Sequence, residues 1–276
     1  MGGYKLIGMA DKSRIIVSMT SYPARIKNVP VSIFALRKQQ TLPPDEIHLW
    51  LAIPQFPNKE ADLPKELILM AKAGLVTIHW LEKNTYVHKR HEIFKTTTNE
   101  CVFLIDDDVI YDKNLIKMVM DVHDKYPDSI VCYNHYDKHR YKGKHILYGE
   151  YCQHNGLYVN QYRWCGQSMI PSSIYPKEVL TSDYQAIRDD SSPISDECWL
   201  QPWIVFHDIP IYYLNFGWGT DIDPATGKNT GIVSWSHQKD KNGYERRDIW
   251  LNNVLQKIPH LYTKYKVTFH YDSNLK

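Results

Sequence analysis

The feature that most constrains the fold is an apolar run that ends in three carboxylates, CVFLIDDDVIY at residues 101–111. Residues 101–105 are apolar and rich in β-formers, which is typical of a strand buried on both faces of a parallel sheet. Asp106, Asp107 and Asp108, the acidic triplet, follow directly. Because ligands of open α/β sheets bind beyond the carboxyl ends of the strands, we expect the acidic triplet to lie in a ligand site.

The acidic triplet also predicts a metal. Adjacent carboxylates repel one another unless a cation offsets their charge. Carboxylate oxygens at alternating positions suit Mg²⁺ or Mn²⁺, and these ions commonly complete their coordination with phosphate oxygens. We therefore expect Asp106 and Asp108 to bind a divalent metal, Mn²⁺ or Mg²⁺. The alternative is that the triplet only ends a strand and begins a turn, for which one Asp is sufficient.

Composition limits the class of protein. Of the 276 residues 43% are hydrophobic, which is enough for a substantial core, and 33 Lys and Arg nearly balance 31 Asp and Glu, so we expect no nucleic-acid partner. Five cysteines without a CxxC pair are typical of reduced thiols. No apolar stretch is long enough to span a membrane, so we expect a cytoplasmic protein whose membrane contact would be peripheral, at the inner face. The oligomeric state stays open.

Strand and helix patterns alternate before the acidic triplet. Strands are predicted at residues 14–19, 46–51, 75–81 and 101–105, and helices between them at residues 28–40, 64–73 and 88–100. Gly74 is placed to end the second helix in the left-handed conformation. This alternation predicts an α/β fold with a mostly parallel sheet flanked by helices. No GxGxxG follows the first strand, so a dinucleotide-binding Rossmann domain is not indicated.

The pattern changes after a helix at residues 112–125 and a strand at residues 129–133. Residues 133–164 contain seven Tyr and four His, which suits irregular strands around an aromatic groove. His135 and His139 have a spacing that two helical metal ligands could use, but the polar residues between them favour a solvated loop. Further elements are predicted at the end of the chain: a helix at residues 196–206 with Ser195 as N-cap, a strand at residues 211–214 and a helix at residues 245–256.

Together these elements resemble a glycosyltransferase of the GT-A fold, specifically the bacterial family-2-like enzymes that build capsular and other surface polysaccharides. The resemblance covers roughly residues 14–237 and is carried by the following segments: residues 15–25 (IIVSMTSYPAR), Lys89, residues 104–111 (LIDDDVIY), residues 166–171 and residues 195–199 (SDECW). A DXD motif alone is common, but one at the end of a fourth strand, with an acidic pair about ninety residues later, is much less so.

The resemblance implies a single GT-A domain with an aromatic-rich acceptor region. Residues 14–132 would bind the nucleotide-sugar, residues 133–244 would hold the acceptor and catalytic groups, and residues 245–276 would form a C-terminal helix and tail. The partners would be a nucleotide-sugar donor, expected to be UDP-linked, and a saccharide or lipid-linked saccharide acceptor. Only Gly166 remains of a turn that is Gly-rich in many relatives, so contacts of that loop with the acceptor are not carried over.

The resemblance also implies roles for individual residues. The acidic triplet would bind the ribose, and its residues Asp106 and Asp108 would bind the metal. His237 would complete the coordination shell of the metal. The residues expected to contact the nucleotide are Thr20, Ser21, Tyr22, Arg25, Asp106 and Asp107. The ammonium of Lys89 could meet a donor phosphate, and the alternative is a solvated lysine beside Arg90.

The chemistry of sugar transfer requires a cation at the leaving diphosphate and a base at the acceptor hydroxyl. Asp196 or Glu197 would be the base of a single, inverting displacement. Asp196 is slightly favoured as the base and Glu197 as the residue that holds an acceptor hydroxyl, because successive helical residues point about 100° apart. Acidic residues also occur routinely in a first helical turn because they stabilise the helix dipole.

Two other functions remain open. A sugar nucleotidyltransferase would share the sheet and the acidic site, but it usually has a Gly-rich, basic loop after the first strand, and residues 20–25 contain no glycine. A non-catalytic carbohydrate-binding module would have no reason to keep three adjacent carboxylates at a strand end.

Overall fold

The computed structural model describes residues 13–133, 136–137, 140–142, 145–147, 151–152, 155–160, 164, 166–215, 219–222, 238–241 and 245–268. Its strands are β1 (Ile15–Thr20), β2 (Glu46–Ala52), β3 (Thr77–Leu81), β4 (Cys101–Leu104), β5 (Val109–Ile110), β6 (Ile130–Cys132), β7 (Tyr136–Asp137), β8 (Arg140–Lys142), β9 (His145–Leu147), β10 (Tyr151–Cys152), β11 (Gly156–Tyr158), β12 (Ser168–Pro171), β13 (Ile211–Tyr213) and β14 (Thr220–Asp221).

The α-helices are α1 (Val29–Lys38), α2 (Lys65–Lys72), α3 (Leu115–His123), α4 (Ser182–Ser191), α5 (Asp196–Phe206), α6 (Arg246–Lys257) and α7 (Pro259–Thr268). The 3₁₀ segments are Ile26–Asn28, Ile53–Gln55, Lys59–Asp62, Tyr86–Lys95, Ser172–Ile174 and Lys177–Leu180. None of the helices described here is long and apolar enough to cross a membrane.

Eight strands form one central sheet in the order β11-β13-β6-β12-β4-β1-β2-β3. Strands β1 to β4 run parallel, as do β6 and β13, whereas β12 is antiparallel to both of its neighbours and β11 to β13. Three short ladders, β5 with β14, β7 with β10 and β8 with β9, lie outside this sheet. The expected α/β class, with a mostly parallel sheet flanked by helices, is confirmed.

The core lies on both faces of this sheet, as the apolar run of β4 predicts. Val102 and Leu104 pack into one apolar cluster, whose helical members come from α5, α6 and α7. Phe103 packs into the other cluster, with α1, α2 and α3. Successive strand residues point to opposite faces, so a strand buried between two helical layers must be apolar throughout.

Most predicted elements are confirmed to within two residues. Helix α5 spans the predicted residues, and the Ser195 hydroxyl accepts the Cys198 amide at 3.2 Å. Gly74 has the left-handed φ of 72° that ends α2. Helix α3 is shorter than predicted, because Asp112 accepts the Asn114 amide at 2.8 Å and forms a turn before the helix begins at Leu115.

The helix predicted at residues 88–100 is instead the 3₁₀ segment Tyr86–Lys95. The sequence there lacks a continuous apolar face, and Thr96 to Thr98 are weak helix formers. His88, Lys89 and Arg90 are each buried. Contacts of these polar side chains with the rest of the protein, described below, therefore hold the segment in place.

Candidate functional site

The acidic triplet lies at the carboxyl end of β4, as predicted. The parallel pairing of β4 with β1 places Leu104 beside Ser18, so the chain after β1 emerges at the same end of the sheet. Antiparallel β12 begins at Ser168, opposite Leu104, so the residues that precede β12 in the chain also lie at this end of the sheet. Segments far apart in the sequence therefore meet around the acidic triplet.

Both carboxylate oxygens of Asp106 are engaged by neighbouring side chains. Arg90 Nη1 donates to Oδ1 at 2.9 Å, and Gln167 Nε2 donates to Oδ2. The Asp106 amide donates to the Tyr111 hydroxyl at 3.2 Å. These contacts fix the position and orientation of the first carboxylate of the triplet.

Asp107 and Asp108 share a single cation, the guanidinium of Arg25. Arg25 Nη1 lies 3.4 Å from Asp107 Oδ1 and 2.9 Å from Asp108 Oδ2. Burial and the charge of Asp106 raise the pKa of Asp108 to about 6, although Arg25 acts to lower it. Burial also raises the pKa of Asp107, against the effects of Ser21 and Arg25. At both carboxylates, the effect of burial therefore outweighs that of the Arg25 guanidinium, and both pKa values are raised.

The residues of the triplet fit a divalent metal ion whose coordination shell would be completed by phosphate oxygens. Asp106 and Asp108 offer hard oxygen ligands, and Mg²⁺ or Mn²⁺ is commonly held by one or two carboxylates together with substrate phosphates. In the part of the chain that the structure describes, no three or more His, Cys, Asp or Glu side chains form a ready-made metal site. His237, the predicted further ligand, lies outside the described residues.

The predicted nucleotide loop follows β1 and touches the triplet through Arg25. Ser21 is buried, and the guanidinium of Arg25 lies 5.6 Å from the centre of the half-buried Tyr22 ring. The hydroxyl of Thr20 donates to the carbonyl of Trp50 in β2 at 2.8 Å. Of these residues, Arg25 contacts the acidic triplet directly, while the hydroxyl of Thr20 holds β1 to β2.

Lys89 is a buried cation near the triplet. Its side chain donates to the Ser21 carbonyl at 3.1 Å, to Gln55 Oε1 at 2.9 Å and to Asn84 Oδ1 at 3.4 Å. Burial lowers its pKa to about 8, although Asp107 acts to raise it. The residue is 1% exposed, so the alternative interpretation as a solvated lysine is wrong.

Arg90 joins the acidic triplet to the start of α5. Its Nη1 contacts Asp106, its Nε and Nη2 donate to Asp196 Oδ2 at 3.0 and 2.7 Å, and its Nη2 also donates to the Gly166 carbonyl at 3.0 Å. From the sequence, no role was expected for Arg90 beyond that of a neighbour of Lys89. The signal that could have indicated it is the run HKRH at residues 88–91, shortly before an acidic strand end.

Asp196 and Glu197 differ sharply in their surroundings. Asp196 is buried, and its Oδ2 accepts from Arg90 and from His91 Nε2, the latter at 3.0 Å. Burial acts to raise the pKa of Asp196, but Arg90 and His91 outweigh it and hold the pKa well below its usual range. Glu197 is half-buried, and its Oε1 accepts the Gly166 amide at 3.1 Å. Asp196 is therefore a very weak base held in an ion pair.

A buried hydrogen-bonded chain continues beyond Asp196. His91 Nδ1 lies 3.0 Å from the Tyr175 hydroxyl. In the neutral tautomer that donates from Nε2 to Asp196, Nδ1 accepts from Tyr175, and burial lowers the pKa of His91, which favours the neutral form. The chain Tyr175–His91–Asp196 therefore fixes the first residue of α5 together with Arg90, which contacts the same carboxylate oxygen.

Most of the predicted acceptor region cannot be compared with the structure. The side chains of residues 134–154, which include His135 and His139, lie outside those described. Of the described aromatic residues, Trp164 is buried and its indole nitrogen donates to the Ser168 hydroxyl at 2.9 Å. Tyr133 is also buried, and its hydroxyl donates to the Leu104 carbonyl at 2.7 Å. These two residues support the end of β4.

No protein-family model matches the sequence, and no curated protein matches it. Several solved structures are similar in backbone. S. aureus TarS 1-349 in complex with UDP is 12% identical, with a TM-score of 0.41, over 74% of this chain and 59% of that chain. The same protein in complex with UDP-GlcNAc is 11% identical, with a TM-score of 0.43, over 77% of this chain and 61% of that chain.

CMP:2-keto-3-deoxy-manno-octonic acid synthetase complexed with CTP is 10% identical, with a TM-score of 0.47, over 81% of this chain and 98% of that chain. The TM-scores of all three structures are below 0.5.

Proposed function

We propose that the protein is a metal-dependent, inverting glycosyltransferase of the GT-A type. It would transfer a sugar from a UDP-linked donor to a saccharide or lipid-linked saccharide acceptor in surface polysaccharide synthesis. The observation that carries the proposal is the position of Arg90 between Asp106 and Asp196. It brings an acidic cluster suited to a metal and a diphosphate close to a second acidic pair suited to base catalysis.

The donor would bind at the acidic triplet. Asp106 and Asp108, with His237 as a further proposed ligand, would hold Mg²⁺ or Mn²⁺, which when bound offsets the charge of the leaving diphosphate. Arg25, which pairs with Asp108, and the buried ammonium of Lys89, which contacts the Ser21 carbonyl, would attract the diphosphate. Ser21, Tyr22 and Asp107 would contact the nucleoside.

Glu197 is the better base of the two candidates, which reverses the preference drawn from the sequence. A catalytic base must be available to accept a proton. The carboxylate of Asp196 is buried and paired with Arg90, and its pKa is lowered. Glu197 follows it in α5 and is half-buried, with Oε1 held by the Gly166 amide. Asp196 would then position Glu197, and Glu197 would face the acceptor.

The proposed reaction is a single displacement. The Glu197 carboxylate accepts the proton of the acceptor hydroxyl as the acceptor oxygen forms its bond to the anomeric carbon. The bond from that carbon to the diphosphate oxygen breaks, and the nucleoside diphosphate leaves with the bonding electrons. Attack from the face opposite the leaving group inverts the anomeric configuration, and no covalent sugar–enzyme intermediate forms.

A screen of nucleotide-sugars tests this proposal. We expect the purified protein to hydrolyse at least one UDP-sugar slowly in Mn²⁺ and not in EDTA, since water can replace the missing acceptor. Asp108→Ala should abolish this hydrolysis, whereas Asp112→Asn, an exposed carboxylate four residues later, should keep it. Activity of Asp108→Ala in EDTA would contradict the proposal, and pyrophosphate release from UTP or CTP with a sugar phosphate would identify a nucleotidyltransferase instead.

A further inference from the structure

Arg90 is placed to set a distance within the site, and the inference below rests on the proposed function. Its guanidinium binds Asp106 through Nη1 and Asp196 through Nε and Nη2, and its side chain is 4% exposed. The donors of a guanidinium form a rigid, planar fork. Two carboxylates bound to the same fork are therefore held at a fixed separation.

Gly166 links the same guanidinium to Glu197 through the backbone. Its carbonyl accepts from Arg90 Nη2 at 3.0 Å, and its amide donates to Glu197 Oε1 at 3.1 Å. A Cβ at this position would lie 2.7 Å from Arg90 Nη2, which is shorter than real Cβ contacts. The position therefore accepts only glycine while Arg90 stays in place, and the location of Glu197 depends on that of Arg90.

We infer that Arg90 is a positioning residue that sets the distance between the donor diphosphate at the acidic triplet and the base Glu197. Arg90 acts through Asp106, Asp196 and Gly166. Lysine at this position would keep the positive charge but could not bind both carboxylates with one rigid group. A shift of about 1 Å between reacting groups can cost about 100-fold in rate. Donor binding, which would use Arg25, Lys89 and the acidic triplet, should change much less.

Arg90→Lys tests the inference, with Arg37→Lys as its matched control. Arg37 also binds several acceptors, the carbonyls of Leu75 and Pro44 at 2.9 and 2.7 Å, but it lies toward the opposite end of the sheet. For hydrolysis of the nucleotide-sugar, we expect Arg90→Lys to lower kcat by about 10- to 100-fold with a donor KM within about threefold of wild type. Arg37→Lys should lower the melting temperature but leave both kinetic constants unchanged.

Gly166→Ala provides a second test if Arg90→Lys does not fold. It keeps every charged group and moves the guanidinium by steric contact, so it should lower kcat in the same way. An active wild type whose Arg90→Lys and Gly166→Ala variants keep kcat within about twofold would overturn this inference alone. A loss confined to donor KM would also overturn it. A wild type that hydrolyses no nucleotide-sugar would overturn the proposed function, and the inference with it.

Discussion

Replacing each acidic residue at the start of α5 by its amide should separate stability from catalysis. Asp196 and Arg90 have side chains that are 6% and 4% exposed, so Asp196→Asn breaks a buried ion pair and leaves the guanidinium with Asp106 as its remaining charged partner. Breaking such a pair typically costs about 3–5 kcal/mol in the free energy of unfolding. Glu197→Gln keeps an acceptor oxygen for the Gly166 amide, so its cost should be within about 1 kcal/mol.

The free energy of unfolding, from urea titrations, and kcat are measured on the same samples of each variant. The control is Asp121→Asn, because Asp121 and its partner Lys117 have side chains that are 55% and 54% exposed, so their pair should contribute only about 0–1 kcal/mol. Glu197→Gln should lose about 10²- to 10⁴-fold in kcat with normal stability. Full activity of Glu197→Gln would refute its role as base. Unchanged stability of Asp196→Asn would refute the ion-pair description.

Two further predictions concern buried basic residues. Lys89→Met should weaken UDP binding by about tenfold or more in calorimetry, because it removes the ammonium beside the triplet, whereas exposed Lys83→Met should not; equal affinities would show that Lys89 is structural. Burial lowers the pKa of His88 from 6.5 to about 3, so on acidification this histidine is protonated in the unfolded state before it is protonated in the folded state. The free energy of unfolding should therefore fall as the pH drops from 6.5 toward 3, by about 1.4 kcal/mol per pH unit. When the free energy of unfolding is measured across this pH range, its slope against pH should correspond to about one proton fewer in His88→Gln than in the wild type. An unchanged slope would contradict the burial of a neutral His88.

The sequence was most informative where local chemistry decides the structure. The apolar run before Asp106 required a strand buried on both faces, and Ser195 marked the first residue of α5 because its hydroxyl caps the helix. The direction of β12 could not be predicted in this way. Strand periodicity is the same for parallel and antiparallel pairing, so the partners of β12 are fixed only by the whole sheet.

The arrangement of the site was harder to predict than its acidic residues. In the sequence, Arg90 resembles an exposed basic residue, because most arginines in proteins are exposed. Its burial depends on Asp196, which is 106 residues away along the chain. The same contact lowers the pKa of Asp196, so the sequence alone could not show which of Asp196 and Glu197 is the better base.

Thermal unfolding with UDP, with Mn²⁺ or with EDTA, tests the central claim that the acidic triplet is a metal-dependent site for a nucleoside diphosphate. At 100 times its Kd, UDP should add about 2.7 kcal/mol, or roughly 5–10 °C in melting temperature for a chain of this size. We predict this shift in Mn²⁺ for the wild type, and little or none in EDTA or for Asp108→Ala. No shift in Mn²⁺, or an equal shift in EDTA and in Asp108→Ala, would contradict the account.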